Sequence, residues 1–370
     1  MKAVVLVGGE GTRLRPLTCN IPKPMLPLMN RPFIEHIVKL LASHGVDEII
    51  LSAGYKPQTF DAHLGDGADF GVKITYVTEA SPLGTCGAVK NVAEYLDDTF
   101  IVCNGDILTD LNISQMIEYH RAKQSTVTIA LTSVEDPTQY GLVPVDDKGR
   151  VTGFLEKPSW DEVTTDLVNA GTYVLEPNVL DNVSPGVHCS FERELFPELL
   201  EANAPVFGMP TGAYWIDIGT PAKYLQAHKD ILGGKVAFDI NGREIKKGVR
   251  ADEGASISDQ AMVFGPSLIG AGATVEADAT VFSQTVIGEG CVVKKGARLE
   301  GCVLYDGAIV GEGAVVKDSI LGKGVKVGPR VRVEEEAILG DNTVVNEENV
   351  LKKGIKIWPD TTVGRGMIRF

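Results

Sequence analysis

The chain has 370 residues, a formal net charge of −14 and a pI near 5.0. That length favours two domains, and a hydrophobic content of 44% is ample for a core. The acidity argues against a nucleic-acid partner, and no apolar run nears the roughly 20 residues of a membrane span. The start, "MKAVVLVGG", is too short an apolar run for a secretory signal. The six cysteines show no metal or redox spacing and read as reduced thiols, so a cytoplasmic protein is expected.

The first 230 residues alternate short apolar runs with helical patterns. "AVVLV" (Ala3–Val7) reads as a buried strand ending at Gly8-Gly9. In "FIEHIVKLLASHG", Ile34, Ile37, Val38 and Leu41 share one helical face and Gly45 is the stop. "EIILSAGY" (48–55), "KITYVTE" (73–79) and "TFIVCNGD" (99–106) read as further strands. This order predicts an α/β domain of Rossmann-like type with a mostly parallel sheet. Ligands of such sheets bind beyond the carboxyl ends of the strands, where Gly8–Gly11 and Asn104-Gly105-Asp106 fall.

Residues 231–260 read as a linker with a possible strand of its own, and from 261 to 370 the rhythm is different. One aliphatic position recurs at Ile269, Ile287, Leu304, Leu321, Leu339 and Ile357, in steps of 18, 17, 17, 18 and 18. Glycine follows at 270, 288, 322 and 340, while Tyr305 and Trp358 break the pattern. A hexapeptide repeat with three units per turn needs a coil of about 18 residues. The expectation is a left-handed parallel β-helix, aliphatic side chains inward and glycine turning the corner. The alternative, a β-sandwich with glycine-rich turns, does not call for near-equal steps.

The acidic chain begins with a basic stretch. Residues 1–25 hold Lys2, Arg13, Arg15 and Lys23 against Glu10 alone. A glycine loop after a first strand cradles phosphate when its backbone N–H groups can approach an anion. This one is not a P-loop, since no Gly-Lys-Ser/Thr follows, and not a dinucleotide fingerprint, since Leu14 stands where glycine is required. On the glycines alone a plain tight turn explains the loop equally well. The cations add weight: arginine suits bidentate phosphate contact, and Lys23 stands between Pro22 and Pro24, which stiffen its backbone.

"GGEGTRLRPLT…PKPM" resembles the signature of the sugar-1-phosphate nucleotidylyltransferases. "NGD" (104–106), "EKP" (156–158), "NAGTYV" (169–174), "SFERELFP" (190–197) and "YWIDIGTPAKY" (214–224) follow in that family's order. The resemblance is greatest to the mannose-1-phosphate guanylyltransferases and covers essentially the whole chain. It implies attack of a sugar-1-phosphate oxygen on the α-phosphorus of a nucleoside triphosphate, with loss of pyrophosphate. A phosphate monoester is already mostly ionised at neutral pH, so no general base is required. The six histidines form no catalytic motif.

By the same resemblance, Gly8, Gly9, Gly11 and Thr12 line the nucleotide site. Arg13 grips the departing phosphates, and Lys23 neutralises the α-phosphate. Asp106 and Asp217 hold Mg2+, a hard ion that takes oxygen ligands. Lys157 meets the sugar phosphate, while Glu156, Asn169 and the backbone of Gly141 meet the sugar. For Glu156 and Lys157, a solvated turn before Pro158 is the bland alternative; for each Asp it is a turn or cap.

Glu79 and Gly84 fall in a segment resembling the family's nucleobase loop. Guanine offers two adjacent donors, which an acceptor-only carboxylate can take together, whereas thymine and uracil offer one donor between carbonyls. Glu79 therefore favours GTP, unless it faces solvent at a strand end. Three other readings stay open. One keeps the mechanism with dTTP or UTP and glucose-1-phosphate. Another is a non-catalytic regulatory subunit, which the presence of Arg13, Lys23, Asp106 and Asp217 opposes. The third is an acyltransferase in the β-helix, opposed by the last histidine being His228. The broad faces of a β-helix suit self-association into a homo-oligomer.

Overall fold

The structure, a computed structural model, describes residues 1–54 and 57–368. Tyr55, expected at the end of the second strand, lies outside the described residues, as do Arg369 and Phe370 at the end of the expected β-helix domain. Two compact units are present. One comprises Met1–Gly9 and Ile34–Trp215, the other Glu10–Phe33 and Ile216–Phe370. The basic segment thus groups with the C-terminal half of the chain.

The first unit is built on a sheet of nine strands among the described residues. In chain order these are β1 (Lys2–Leu6), β2 (Glu48–Ala53), β3 (Lys73–Thr78), β4 (Phe100–Asn104), β5 (Val127–Ser133), β6 (Gly141–Leu142), β7 (Leu155–Glu156), β8 (Leu167–Leu175) and β9 (Val206–Pro210). The main path runs β7-β6-β8-β4-β1-β2-β3, with β5 joining β8 to β9. The expected strands β1 to β4 are parallel to one another. The second half is not: β8 runs antiparallel to β4, β5 and β6, so the sheet is mixed.

Helices α1 (Phe33–Ser43), α2 (Pro57–Leu64), α3 (Gly84–Lys90), α4 (Ile113–Lys123) and α5 (Phe196–Glu201) punctuate the strands. The face of α1 read from the sequence is buried at Ile34, Ile37, Val38 and Leu41. One core joins Val4, Ile50 and Val102 of the parallel strands to the rings of Tyr173, Phe191 and Phe196. The chain reverses direction across the sheet between β1 and β4, which are neighbours although two strands separate them in sequence. Such a switch point leaves a crevice at the strand ends.

In the second unit, α6 (Pro221–Leu232) precedes three sheets made almost wholly of parallel two- and three-residue strands, the signature of a parallel β-helix. The aliphatic column is a register line: Ile269, Ile287, Leu304, Leu321, Leu339 and Ile357 pair in succession. All six are buried. Residues 231–260 hold a hairpin, Arg243–Lys246 with Val249–Ala251, whose second strand pairs with the coil containing Ile269.

The corner glycines are needed for a reason different from the expected one. Gly270, Gly288, Gly322 and Gly340 do not adopt positive φ. A Cβ on any of them would come within 2.8 Å of a backbone atom of the next coil. The left-handed residues come two places later: Gly272, Gly290, Gly307, Gly324, Asn342 and Asp360. Asn and Asp are the side chains that tolerate that conformation best.

His228 on α6 is fully buried, with its ring edge-on to Tyr224 at 4.9 Å. Burial pushes its pKa down to about 3. Unfolded, it titrates near 6.5. Below that pH the unfolded chain binds a proton that the folded chain refuses, so stability is lost as pH falls from about 6.5 toward 3. Burial lowers His36, His44 and His120 as well, with the same sign. The melting temperature is therefore expected to drop between pH 7 and pH 5, and less steeply in His228→Phe. Equal slopes for the two proteins would contradict this origin.

Candidate active site

The site residues read from the sequence fall in both units. In the first, β1 ends against the turn after β4. The backbone N–H of Gly105 donates to the Leu6 carbonyl at 2.9 Å. Two motifs meet there: Asn104-Gly105-Asp106 at the end of β4 and Asn169-Ala170-Gly171 in β8. The Asn104 amide packs onto Gly171, where a Cβ would lie 2.6 Å from its nitrogen. Asp106 is half-buried in the turn.

Glu79 lies beside Gly8, whose Cβ would stand 3.2 Å from Oε1. It is half-buried. Its Oε1 accepts from Ser52 Oγ at 3.2 Å, and its Oε2 accepts from the Leu83 N–H at 3.0 Å. Each oxygen keeps lone-pair capacity for a further donor. Gly84 follows at the start of α3, in positive φ and packed on the Cys189 carbonyl. That carbonyl also takes the Cys86 and Gly87 N–H groups, so part of the helix start is already satisfied.

The residues expected at the sugar phosphate also lie in this unit. Gly141 and Glu156 are directly paired across β6 and β7. Arg193 stands 3.7 Å from Glu156. Lys157 is exposed and held in left-handed backbone with φ 52, a conformation that non-glycine residues seldom adopt without cause. Its N–H donates to the Tyr140 carbonyl at 3.0 Å. The Asn169 amide is fixed: Oδ1 accepts from Gly171 N–H at 2.9 Å, and Nδ2 donates to Tyr173 Oη at 2.8 Å.

The sequence reading missed what holds Asn169. Glu192 accepts from the Tyr173 hydroxyl at 2.9 Å through one oxygen and from Ser190 and Thr85 at 2.8 and 3.2 Å through the other. It sits in a π-helical turn, Phe191–Leu195, a local geometry frequent at functional sites. Burial first, and the Glu192 charge second, push the Tyr173 hydroxyl well above its ordinary pKa, so it stays a donor. The signal was available: "SFERELFP" puts acids on both sides of an arginine at a phenylalanine-rich boundary.

The second unit carries the cations. Gly11, in positive φ, opens a short turn, Thr12–Leu14, and leaves Thr12 and Arg13 exposed. The Thr18 hydroxyl fixes the loop by donating to the Gly11 carbonyl at 2.8 Å. A Cβ at Gly11 would stand 3.1 Å from side-chain carbons of both Thr18 and Lys23, so this glycine is required twice over. Arg15 pairs with Glu10 at 3.1 Å, in keeping with a surface role.

Lys23 is 6% exposed, rare for lysine unless it is paired. Its Nζ stands 3.3 Å from Asp217 Oδ1, and Arg13 Nη2 lies 4.0 Å from Asp217 Oδ2. Residues 194 apart in sequence thus form one charged cluster, in which the Arg13 side chain is 68% exposed. Gly219 makes the approach possible. A Cβ there would stand 2.7 Å from both Arg13 Nη2 and Asp217 Oδ1.

Asp106 and Asp217 offer oxygen donors of the kind a hard divalent ion takes. Among the described residues no three His, Cys, Asp or Glu side chains gather as a metal cage.

A buried lysine and an exposed arginine sharing one carboxylate are equipment for handling phosphates, and sequence comparison agrees. Residues 2–234 match the Nucleotidyl transferase family model and residues 263–368 the GMPPB C-terminal domain. The chain belongs to the nucleotidyl transferase family, and its activity is that of a nucleotidyltransferase. It is 39% identical over 310 residues to mannose-1-phosphate guanylyltransferase of Mycobacterium tuberculosis, covering 82% of this chain and 79% of that protein. It is 36% identical to the catalytic subunit beta of the Dictyostelium discoideum mannose-1-phosphate guanylyltransferase, covering 98% and 97%. Among solved structures, HddC from Yersinia pseudotuberculosis complexed with GMP-PN is 32% identical, with a TM-score of 0.54, covering 61% of this chain and 97% of that one.

Proposed function

We propose that this protein transfers GMP from GTP to mannose-1-phosphate, yielding GDP-mannose and pyrophosphate. The observation that carries the reading is the buried Lys23 paired to Asp217 with Arg13 alongside. A mannose-1-phosphate oxygen forms a bond to the α-phosphorus, and the bond to the bridging oxygen of pyrophosphate breaks. The nucleophile is already an anion, so the work is alignment and charge neutralisation. Lys23 exchanges Asp217 for the α-phosphate, and Arg13 follows the leaving phosphates. Asp106 and Asp217 would hold Mg2+, which supplies charge neutralisation on the phosphate oxygens. Gly8, Gly9, Gly11 and Thr12 border the nucleotide, while Gly141, Glu156, Lys157 and Asn169 take the sugar phosphate.

The relatives' names favour guanine and mannose, and Glu79 supports guanine through its remaining lone pairs. Its two internal bonds moderate that support, because the same carboxylate also shapes the loop. Glu79→Gln is expected to lower kcat/KM for GTP at least tenfold more than for dTTP, since an amide presents one acceptor where guanine needs two. An unchanged nucleotide preference would contradict a base-reading role. The whole reaction is tested by incubating the protein with GTP, mannose-1-phosphate and Mg2+ and separating the products. GDP-mannose is expected; its absence from folded protein would contradict the assignment. The proposed location is the cytoplasm, where scattered thiols stay reduced. Self-association is supported by the exposed, stacked rings of Phe264 and Phe282 on the β-helix.

A further inference from the structure

The glycine column of the β-helix is broken at Tyr305, and the structure gives that break a use. Tyr305 is buried, and its hydroxyl donates to the Tyr224 hydroxyl at 2.9 Å. The Tyr224 hydroxyl in turn donates to the Pro27 carbonyl. Tyr224 is fully buried on α6, seven residues beyond Asp217. Pro27 lies four residues beyond Lys23, directly after the hydrogen-bonded turn Lys23–Met25. Two hydroxyls therefore connect one β-helix coil to the segments that directly follow Asp217 and Lys23.

Two further bonds run along the same edge. Asn30 Nδ2 donates to the Ile287 carbonyl at 2.9 Å. Asn20 Nδ2 donates to Asp341 Oδ2 at 2.9 Å. Ile287, Tyr305 and Asp341 all lie at or beside the same corner of their coils, and their partners run in the order Asn30, Pro27, Asn20. The basic segment runs along the β-helix in the opposite sense to the chain. Tyr305 is the middle and only buried attachment of the three. Packing alone would call for an apolar side chain here; two buried hydroxyls in series are oriented groups, and each is satisfied by the next.

We propose that Tyr305 is a positioning residue for Lys23, acting through Tyr224 and the Pro27 carbonyl, so that the β-helix sets the geometry of the buried ammonium. The proposal rests on the reading of Lys23 as a catalytic group. Tyr305→Phe keeps the ring and removes one hydroxyl. It is expected to lower kcat about five- to tenfold, the effect of one misplaced hydrogen bond, with KM for GTP within about twofold. Hydrogen–deuterium exchange should rise at Leu26 and Leu28. Tyr224→Phe, which removes the donor to Pro27, should do the same. In a Lys23→Ala background, Tyr305→Phe should cause no further loss, because the group it positions is gone. A merely structural tyrosine would lower the rate by the same factor in both backgrounds, and that result would overturn the proposal. So would full activity and unchanged exchange in Tyr305→Phe beside an impaired Lys23→Ala. Full activity in Lys23→Ala would instead overturn the reading of Lys23, and this proposal with it.

Discussion

Replacing Lys23 by alanine is expected to lower kcat by about 10²- to 10³-fold, the usual cost of one charge aimed at a transition state. The side chain is 6% exposed and its ammonium meets Asp217 at 3.3 Å. A cation kept so far from water acts more strongly on an arriving phosphate than a surface lysine does. The turn around it is stiff, with Pro22 and Pro24 on either side and Leu26 N–H bonded to the Lys23 carbonyl at 3.1 Å. Little reorganisation is needed when charge builds on the α-phosphate. The fold should survive, because Asp217 keeps Arg13 nearby and is itself 15% exposed. Forward and reverse rates, with circular dichroism as the control for folding, decide the matter. A loss under fivefold in both directions would show that Lys23 serves packing rather than catalysis.

Asp217→Asn is the second large effect, again about 10²- to 10³-fold in kcat, accompanied by a higher Mg2+ concentration for half-maximal rate. The substitution keeps shape and removes charge. It deprives Lys23 and Arg13 of their shared carboxylate and takes away one of the two proposed oxygen donors to the ion. Titrating the rate against Mg2+ separates these roles: loss of a cation partner alone lowers the plateau, whereas loss of an ion ligand also shifts the midpoint. An unchanged plateau and midpoint would remove Asp217 from the site.

Much of this was legible in the residues, and the exceptions have physical causes. The aliphatic column from Ile269 to Ile357 could be read because one inward position per coil repeats, and the register confirmed it residue by residue. The role of its glycines was misread. Sequence shows that a side chain is excluded but not whether φ or a neighbouring backbone excludes it, and here the neighbour does. Strands β1 to β4 were legible as apolar runs. The antiparallel half was not, since β6 and β7 are two residues each and the β8 pairing shifts register between Asn169 and Tyr173. Lys23 was marked by its prolines. Its pairing with Asp217, and the need for Gly219 between Asp217 and Arg13, are long-range facts that no local pattern encodes. Tyr305 looked like a flaw in a repeat because its partner, Tyr224, lies 81 residues away.

The most direct test of the central claim is pyrophosphate release by the purified full-length chain with Mg2+, crossing GTP, dTTP, UTP, ATP and CTP with mannose-1-phosphate and glucose-1-phosphate. A clear maximum at GTP with mannose-1-phosphate is the expected result. A maximum at dTTP or UTP with glucose-1-phosphate would contradict the assignment of base and sugar, and silence in every combination from folded protein would contradict catalysis itself.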